Sequence, residues 1–399
     1  MKKLIQINTV CNTSTGKLMG DIQKAAIKQG YRTLSIVGRR KPFSDMPCVK
    51  VGNIFSFGIH IFLTTVFDRQ GFGSYFETQK IVKILKSENP DIIHLHNLHG
   101  YYLNLPVLFK YLTTEYKGKV YWTFHDCWAL TGHCAYFTEA RCKKWQRCCE
   151  KCPQKTEYPV SLFVDDSKMN YQKKKEMFTM LKYLTIVVPS DWMKEITEQS
   201  FMKNYPIKVV NNGIDMKVFK YTVPSNSIYE RYGIASNKKI IIGVASIWDK
   251  RKGLDDFIRL NGVISNEYQI VVVGLKKYQI RELPRGMIGI CHTESKEELA
   301  MLYSLAEVFL NPSQEESFSL VTAEALACGT PIIVLSTSAV KEFVSGSNGI
   351  VLEEHNPNDY LEAIRKIEKN YPTRKDVAAS AAKYSVSLYS KRIMNLYNE

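Results

Sequence analysis

Short apolar runs alternate with longer segments of helical period along the chain, and the alternation occurs twice. In the first half the pattern predicts strands at 3–8, 33–37, 92–96, 120–124 and 185–188. In the second it predicts them at 240–245, 269–274, 289–292, 308–311 and 331–335. Between them, apolar positions recur at the helical period over 16–29, 78–86, 252–260, 296–305 and 320–328. Strands separated by helices favour right-handed β-α-β units and parallel sheets, so the expected class is α/β. Two such sets predict two facing, doubly wound domains over 1–209 and 210–382. The boundary is placed where Val209-Val210 runs into the turn residues Asn211-Asn212-Gly213. In open parallel sheets ligands bind beyond the carboxyl ends of the strands, so candidate chemistry is sought there, in a cleft between the sheets.

Composition narrows the class. A chain of 399 residues with 45% hydrophobic and 23% charged residues is neither a single small module nor a disordered segment. The longest apolar stretch, Ile54 to Phe67, is broken by Ser56, Gly58, His60, Thr64 and Thr65. It is shorter than the roughly 20 residues that span a bilayer. Lys2 and Lys3 give a basic start, but Gln6 and Asn8 cut the following apolar run short, which favours a first strand over a signal peptide and implies a cytoplasmic protein. The formal charge of +15 suits either an anionic partner, such as the inner face of a membrane, or a solvated basic surface. Residues 141–182 hold eleven Lys and Arg against five Asp and Glu, with Lys173-Lys174-Lys175 among them.

The most informative segment runs from Asn311 to Pro331 and reads as strand end, loop, short helix, glycine stop and next strand. Ser317, Phe318, Ser319 and Leu320 fall at the helix start, where free backbone N–H groups suit a diphosphate. Glu316 and Glu324 flank those amides and suit sugar hydroxyls on either side, the outline of a sugar nucleotide. Lys250-Arg251-Lys252-Gly253 follows the first strand of the second half, and its cations can neutralise a departing phosphate. His125-Asp126 ends a strand of the first half, where an imidazole can reach a hydroxyl. The loop Asn12 to Lys17 follows the first strand. His94, His96 and His99 lie close together without an evident carboxylate, which favours packing over metal binding. Tyr101, Tyr102 and Trp128 suit either sugar stacking or the core. Six of the ten cysteines lie between 127 and 152. Cys134, Cys142, Cys149 and Cys152 suit a structural zinc held by four thiolates, with packed free thiols and disulfides as the alternatives.

The segment Pro312-Ser313-x-x-Glu316-x-Phe318 to Glu324-Ala325-x-Ala327-x-Gly329-x-Pro331, with Thr123-x-His125-Asp126 and Lys252-Gly253, resembles the retaining glycosyltransferases of family 4. Those enzymes have the GT-B fold of two facing Rossmann-like domains. The resemblance implies an acceptor-side first domain, a nucleotide-sugar-binding second domain, and a C-terminal helix over 383–399 that crosses back to the first. It implies that Glu316 and His125 contact the donor hexose, that Lys252 with Arg251 holds the diphosphate, and that Glu324 binds the ribose. Gly16, Ser317, Phe318, Ser319 and Leu320 line the donor. Two positions depart from the pattern: Ser319 stands for the usual glycine, and Ile247 for an arginine. The stretch from His125 to Cys152-Pro153 looks like a subgroup from capsular and exopolysaccharide assembly that includes galactosyltransferases. The expectation is a hexosyltransferase using a UDP or GDP sugar, with no cofactor for catalysis. Its expected partners are a lipid-linked glycan acceptor and a peripheral membrane face, and no nucleic acid. The competing classes are a sugar-nucleotide epimerase or phosphorylase of the same fold, and a basic zinc-containing nucleic-acid-binding protein.

Overall fold

The computed structural model describes residues 1–39, 46–370 and 373–399. The chain divides into two compact units, Met1–Asn211 together with Tyr389–Glu399, and Asn212–Leu388. In the first unit, β1 (Lys3–Asn8), β2 (Arg32–Val37), β3 (Cys48–Lys50), β4 (Ile92–Leu95), β5 (Lys119–Thr123), β6 (Leu184–Val188) and β7 (Ile207–Val209) form a parallel sheet ordered β3-β2-β1-β4-β5-β6-β7. In the second, β8 (Lys239–Val244), β9 (Tyr268–Val273), β10 (Ile288–Ile290), β11 (Val308–Asn311), β12 (Ile332–Leu335) and β13 (Gly349–Leu352) form another, ordered β10-β9-β8-β11-β12-β13. Both orders run outward from a central first strand, so each sheet has a point where the winding reverses and strand ends open into a crevice.

The central strands are apolar on both faces because helices cover both sides. Ile5 and Ile7 face one core while Leu4 faces another, and Ile241 and Ile242 divide in the same way. β3 and β13 were not predicted, and β7 was expected only as the strand that runs into the Asn211 turn; all three are short edge strands, at Cys48–Lys50, Gly349–Leu352 and Ile207–Val209, two of them carrying a lysine. The predicted helix at 252–260 is in fact a 3-10 turn at Lys250–Lys252, a glycine with φ +74° at Gly253, and then a helix at Leu254–Asn261.

The apolar stretch at 54–67 is a helix, Ile54–Phe67, capped by the Asn53 side chain, which accepts the Ser56 amide at 2.9 Å. Among the described residues, no helix is long and apolar enough to cross a membrane. The helix Val386–Asn398 sends Tyr389, Ile393, Met394 and Tyr397 into the first unit, where they pack with Leu4, Leu18, Ile22 and Tyr121. The Tyr121 hydroxyl donates to the Leu396 carbonyl, and Tyr397 pairs with His94 on β4. Tyr397 is 1% exposed. Truncating it to alanine should destabilise the first unit by about 3–5 kcal/mol, the range for large aromatic truncations in a core, measured by urea unfolding.

Candidate functional site

Two groups of candidate residues occupy strand ends, one in each unit. In the second unit the group is organised by Asn311, the buried last residue of β11. Its Oδ1 accepts the Ser313 amide at 3.1 Å, and its Nδ2 donates to Ser319 Oγ at 3.2 Å and Thr322 Oγ1 at 2.9 Å. One side chain thereby ties both ends of the 312–319 loop to the helix Leu320–Ala327. Ser319 holds φ +89°, the left-handed region that favours glycine, and its hydroxyl also pairs with Thr322 Oγ1 at 2.8 Å. The serine therefore keeps a glycine-type backbone path and adds a hydrogen bond to it.

The basic turn after β8 closes on this loop. Arg251 donates from its guanidinium to the Glu315 carbonyl at 2.7 Å, and its own carbonyl accepts the Gln314 amide at 2.9 Å. Gly253 permits the approach: a Cβ there would lie 2.9 Å from Pro312 Cγ. Lys252 Nζ pairs with Glu316 Oε1, their side chains 18% and 13% exposed. Burial pushes the Glu316 carboxyl up, but the Lys252 and Arg251 charges outweigh it and hold it below the usual carboxylate range. Ser338 holds the Glu316 amide at 3.1 Å. Glu324 is half-buried in the helix, close enough to Tyr303 and Cys328 that its charge adds to burial in raising both.

Other candidates fall differently. Phe318 is buried against Phe343 and Tyr384, with ring centroids at 4.9 and 5.5 Å, so its side chain belongs to the core and only its backbone is left to meet a ligand. Ile247, where the family pattern has an arginine, is 58% exposed.

In the first unit, Gly16 lies in the first turn of the helix Ser14–Lys28, pressed on the preceding loop: a Cβ there would sit 2.3 Å from the Cys11 carbonyl carbon. His125 stands two residues beyond β5 and stacks on His96 at 5.4 Å, which stacks on His94 at 4.4 Å. Hydrogen bonds fix the tautomers. Gln6 Nε2 donates to the Met19 carbonyl at 3.0 Å, leaving its Oε1 to accept from His96 Nε2 at 3.2 Å. His96 Nδ1 is then an acceptor, and His125 Nε2–H donates to it at 3.1 Å. Burial lowers the His125 pKa to about 4 and that of His94 to about 3, and the His96 pKa also falls well below its ordinary value. Beside this column, Asp126 accepts from His99 at 2.7 Å and from the Trp128 amide at 2.9 Å, and His99 meets the Tyr158 hydroxyl at 2.8 Å. Tyr102 and Trp128 are core residues, 1% and 2% exposed. Lys174, expected within a basic surface run, is 1% exposed and donates to the Trp128 and Thr131 carbonyls at 2.8 and 3.1 Å.

The zinc expected at Cys134, Cys142, Cys149 and Cys152 is not supported. Among the described residues no group of three or more His, Cys, Asp or Glu is disposed to hold a metal ion. No disulfide joins any of the ten cysteines, all among the described residues, so the disulfide alternative also fails. The four thiols do line one small cavity with His133, but three of them are engaged in hydrogen bonds. Cys149 Sγ accepts the Gly132 amide at 3.2 Å, and Cys134 hydrogen-bonds Cys152, raising its own pKa and lowering that of Cys152 to about 7. Spacing along the chain sets their proximity, not the tetrahedral direction that zinc demands.

Residues missed from sequence are Gln6, Asn311, Ser338 and Asp249, whose Oδ1 accepts the Lys252 amide at 3.1 Å and so caps the basic turn. Gln6 and Asn311 both carried a usable signal: Asn311 is a polar side chain at the carboxyl end of an apolar strand, and Gln6 a polar side chain inside one.

The chain matches the family model "Glycosyltransferase Family 4" over residues 24–218 and "Glycosyl transferases group 1" over residues 225–384. It is 24% identical over 302 residues to the candidate colanic acid biosynthesis glycosyl transferase WcaC of Escherichia coli (strain K12), covering 74% of this chain and 71% of that protein. It spans about half the length of the D-inositol 3-phosphate glycosyltransferases it also matches. Among solved structures, sucrose-phosphate synthase from Thermosynechococcus elongatus superimposes with TM-score 0.74 at 16% identity, over 100% of this chain and 98% of that one. Anabaena Alr3699/HepE in complex with UDP and glucose gives TM-score 0.68 at 14% identity, over all of both chains.

Two expectations follow. Ser319→Gly should change stability by less than about 1 kcal/mol, because relieved strain offsets the lost hydroxyl bonds. Ser319→Ala keeps the strain, loses the bonds, and should cost about 1–2 kcal/mol in urea unfolding. The buried histidines His60, His94 and His96 are neutral when folded, and His60 is held at about 4 by burial. Unfolded histidines take up protons near pH 6.5, so stability falls as pH drops from there toward 4, by up to about 1.4 kcal/mol per pH unit per histidine, and this contribution is flat above pH 6.5. Melting temperature against pH checks it.

Proposed function

Since this chain belongs to the family 4 glycosyltransferases and has their GT-B fold of two Rossmann-like units, we propose that it moves a hexose from a nucleoside diphosphate sugar to a hydroxyl of a lipid-linked glycan. The anomeric configuration is retained, and the pathway is assembly of a bacterial surface polysaccharide at the inner face of a membrane. The observation that carries this reading is the 312–319 loop, clamped by Asn311, with Lys252 and Glu316 paired at its rim. Similarity to WcaC supports the pathway, and the fold shared with a protein solved with UDP and glucose supports the donor class.

On this reading the arriving diphosphate draws Lys252 away from Glu316, and the freed carboxylate accepts from hexose hydroxyls. The amides at Ser317 to Leu320 face the diphosphate. Arg251 shapes the loop, through its bond to the Glu315 carbonyl, more than it touches phosphate. The bond between the anomeric carbon and the diphosphate oxygen breaks, that oxygen takes the proton of the incoming hydroxyl, and the new bond forms on the same face. His125 meets the sugar as a neutral imidazole whose Nε2–H is already directed at His96.

Glu316→Ala and Lys252→Ala should each lower turnover at least roughly tenfold with the fold intact, about 1.4 kcal/mol or more of barrier. Wild-type rates in both would remove the donor-site assignment. Nuclear magnetic resonance of the product should show the donor's anomeric configuration, and the opposite anomer would overturn retention.

A further inference from the structure

The helix Ile54–Phe67 is built inside out. Its fully buried positions are the polar His60 and Thr64, whereas Ile54, Phe55, Ile59 and Phe62 are 78%, 81%, 61% and 58% exposed. The orientation is fixed by hydrogen bonds, not by loose packing. His60 Nδ1 meets Ser74 Oγ at 2.9 Å, His60 Nε2 accepts the Gly71 amide at 3.1 Å, and Thr64 Oγ1 donates to the His60 carbonyl at 2.9 Å. The Thr64 bond lies within the helix, but rolling the helix to bury its apolar face would leave the His60 ring and the Gly71 amide unpaired. A second apolar element adjoins it: Leu162 and Phe163 are 53% and 73% exposed. Their loop is tied to the helix by Leu162 N to Thr65 O at 2.8 Å and Val164 N to Val66 O at 3.3 Å.

We propose that this helix and the 160–164 loop form a docking face for an anionic lipid surface. The helix contains no Lys, Arg, Asp or Glu, and its most exposed positions are the apolar Ile54, Phe55, Ile59 and Phe62. Cations stand at the edges: Lys155 Nζ on the Leu162 and Phe163 carbonyls at 3.3 Å each, and Arg39 over the Phe57 ring at 4.7 Å. The nearby carboxylates are turned aside, Asp68 toward buried His133, Glu77 toward Asn53 and Asp166 toward Arg69. An uncharged apolar face rimmed by cations complements a leaflet with anionic headgroups. At 14 residues the helix is about 21 Å long, a length that lies in the interface instead of crossing it. The inward side of the same helix adjoins the strand-end residues of its own unit. Phe57 and His60 each sit against Tyr101 at 5.9 Å, Tyr101 is 6.3 Å from Tyr158, and Tyr158 bonds His99, the partner of Asp126. The inference rests on the lipid-linked acceptor proposed above, and gives that acceptor a route to the β4 and β5 ends.

The test is co-sedimentation of the full chain with vesicles of phosphatidylglycerol and phosphatidylcholine, or of phosphatidylcholine alone. Wild-type protein should partition onto the anionic vesicles, and Phe55→Ser/Ile59→Ser/Phe62→Ser should lose at least roughly tenfold in partitioning. The thermal shift given by UDP or GDP should stay the same, which also shows that the variant is folded. Three results would overturn the proposal: undiminished vesicle binding by the variant, equal binding to both vesicle types, or a wild-type dimer that the variant abolishes in sedimentation, since the face then serves a second copy. A missing nucleotide shift in both proteins counts against the donor reading alone and leaves the vesicle result standing.

Discussion

The candidate donor site depends on one side-chain amide. Asn311 uses its carbonyl oxygen and its amino group to fix the start and end of the same loop, so that Glu316 stands at a set height over the basic turn. A carboxylate beside two cations, on a loop with no slack, is a binding group organised before any ligand arrives. The rest follows from the parallel sheet, which delivers β8 and β11 side by side and places their following loops at one edge.

Charge is distributed by burial as much as by composition. A formal charge of +15 suggests a uniformly basic exterior, but Lys174 lies inside under the 128–131 turn, and its pKa falls to about 7 for lack of water. The column His94, His96 and His125 is held neutral for the same reason, which lets one imidazole accept from the next. Protonation of His96 at Nδ1 would remove the acceptor that His125 uses.

Much of the fold was legible because the central strands are buried on both faces and read as unbroken apolar runs: β1 and β11 were placed to the residue. The edge strands β3 and β13 escaped because they hold only three and four residues, too few to show a period. The loop around Glu316 was legible from its residue pattern, and the departure at Ser319 proved to be chemical, since the backbone keeps the path a glycine takes. Direction was not legible. The cysteine spacing showed that four thiols meet but not how their sulfurs point, and the apolar stretch at 54–67 was read only as too short to span a bilayer, with no sign that it is a helix whose polar side faces inward. Periodicity gives a helix its faces; hydrogen bonds such as those of His60 decide which one is hidden.

The return of Tyr389–Glu399 to the first unit has a consequence for biosynthesis. Leu4, Leu18 and Ile22 are translated early, yet the side chains that cover them, Tyr389, Ile393 and Tyr397, are added only after the whole of Asn212–Leu388 has been made. While the ribosome works through that middle stretch, the first sheet waits with one flank uncovered, open to chaperones and to other nascent chains. The second unit is contiguous in sequence and can close at once, so the part made first is the part finished last.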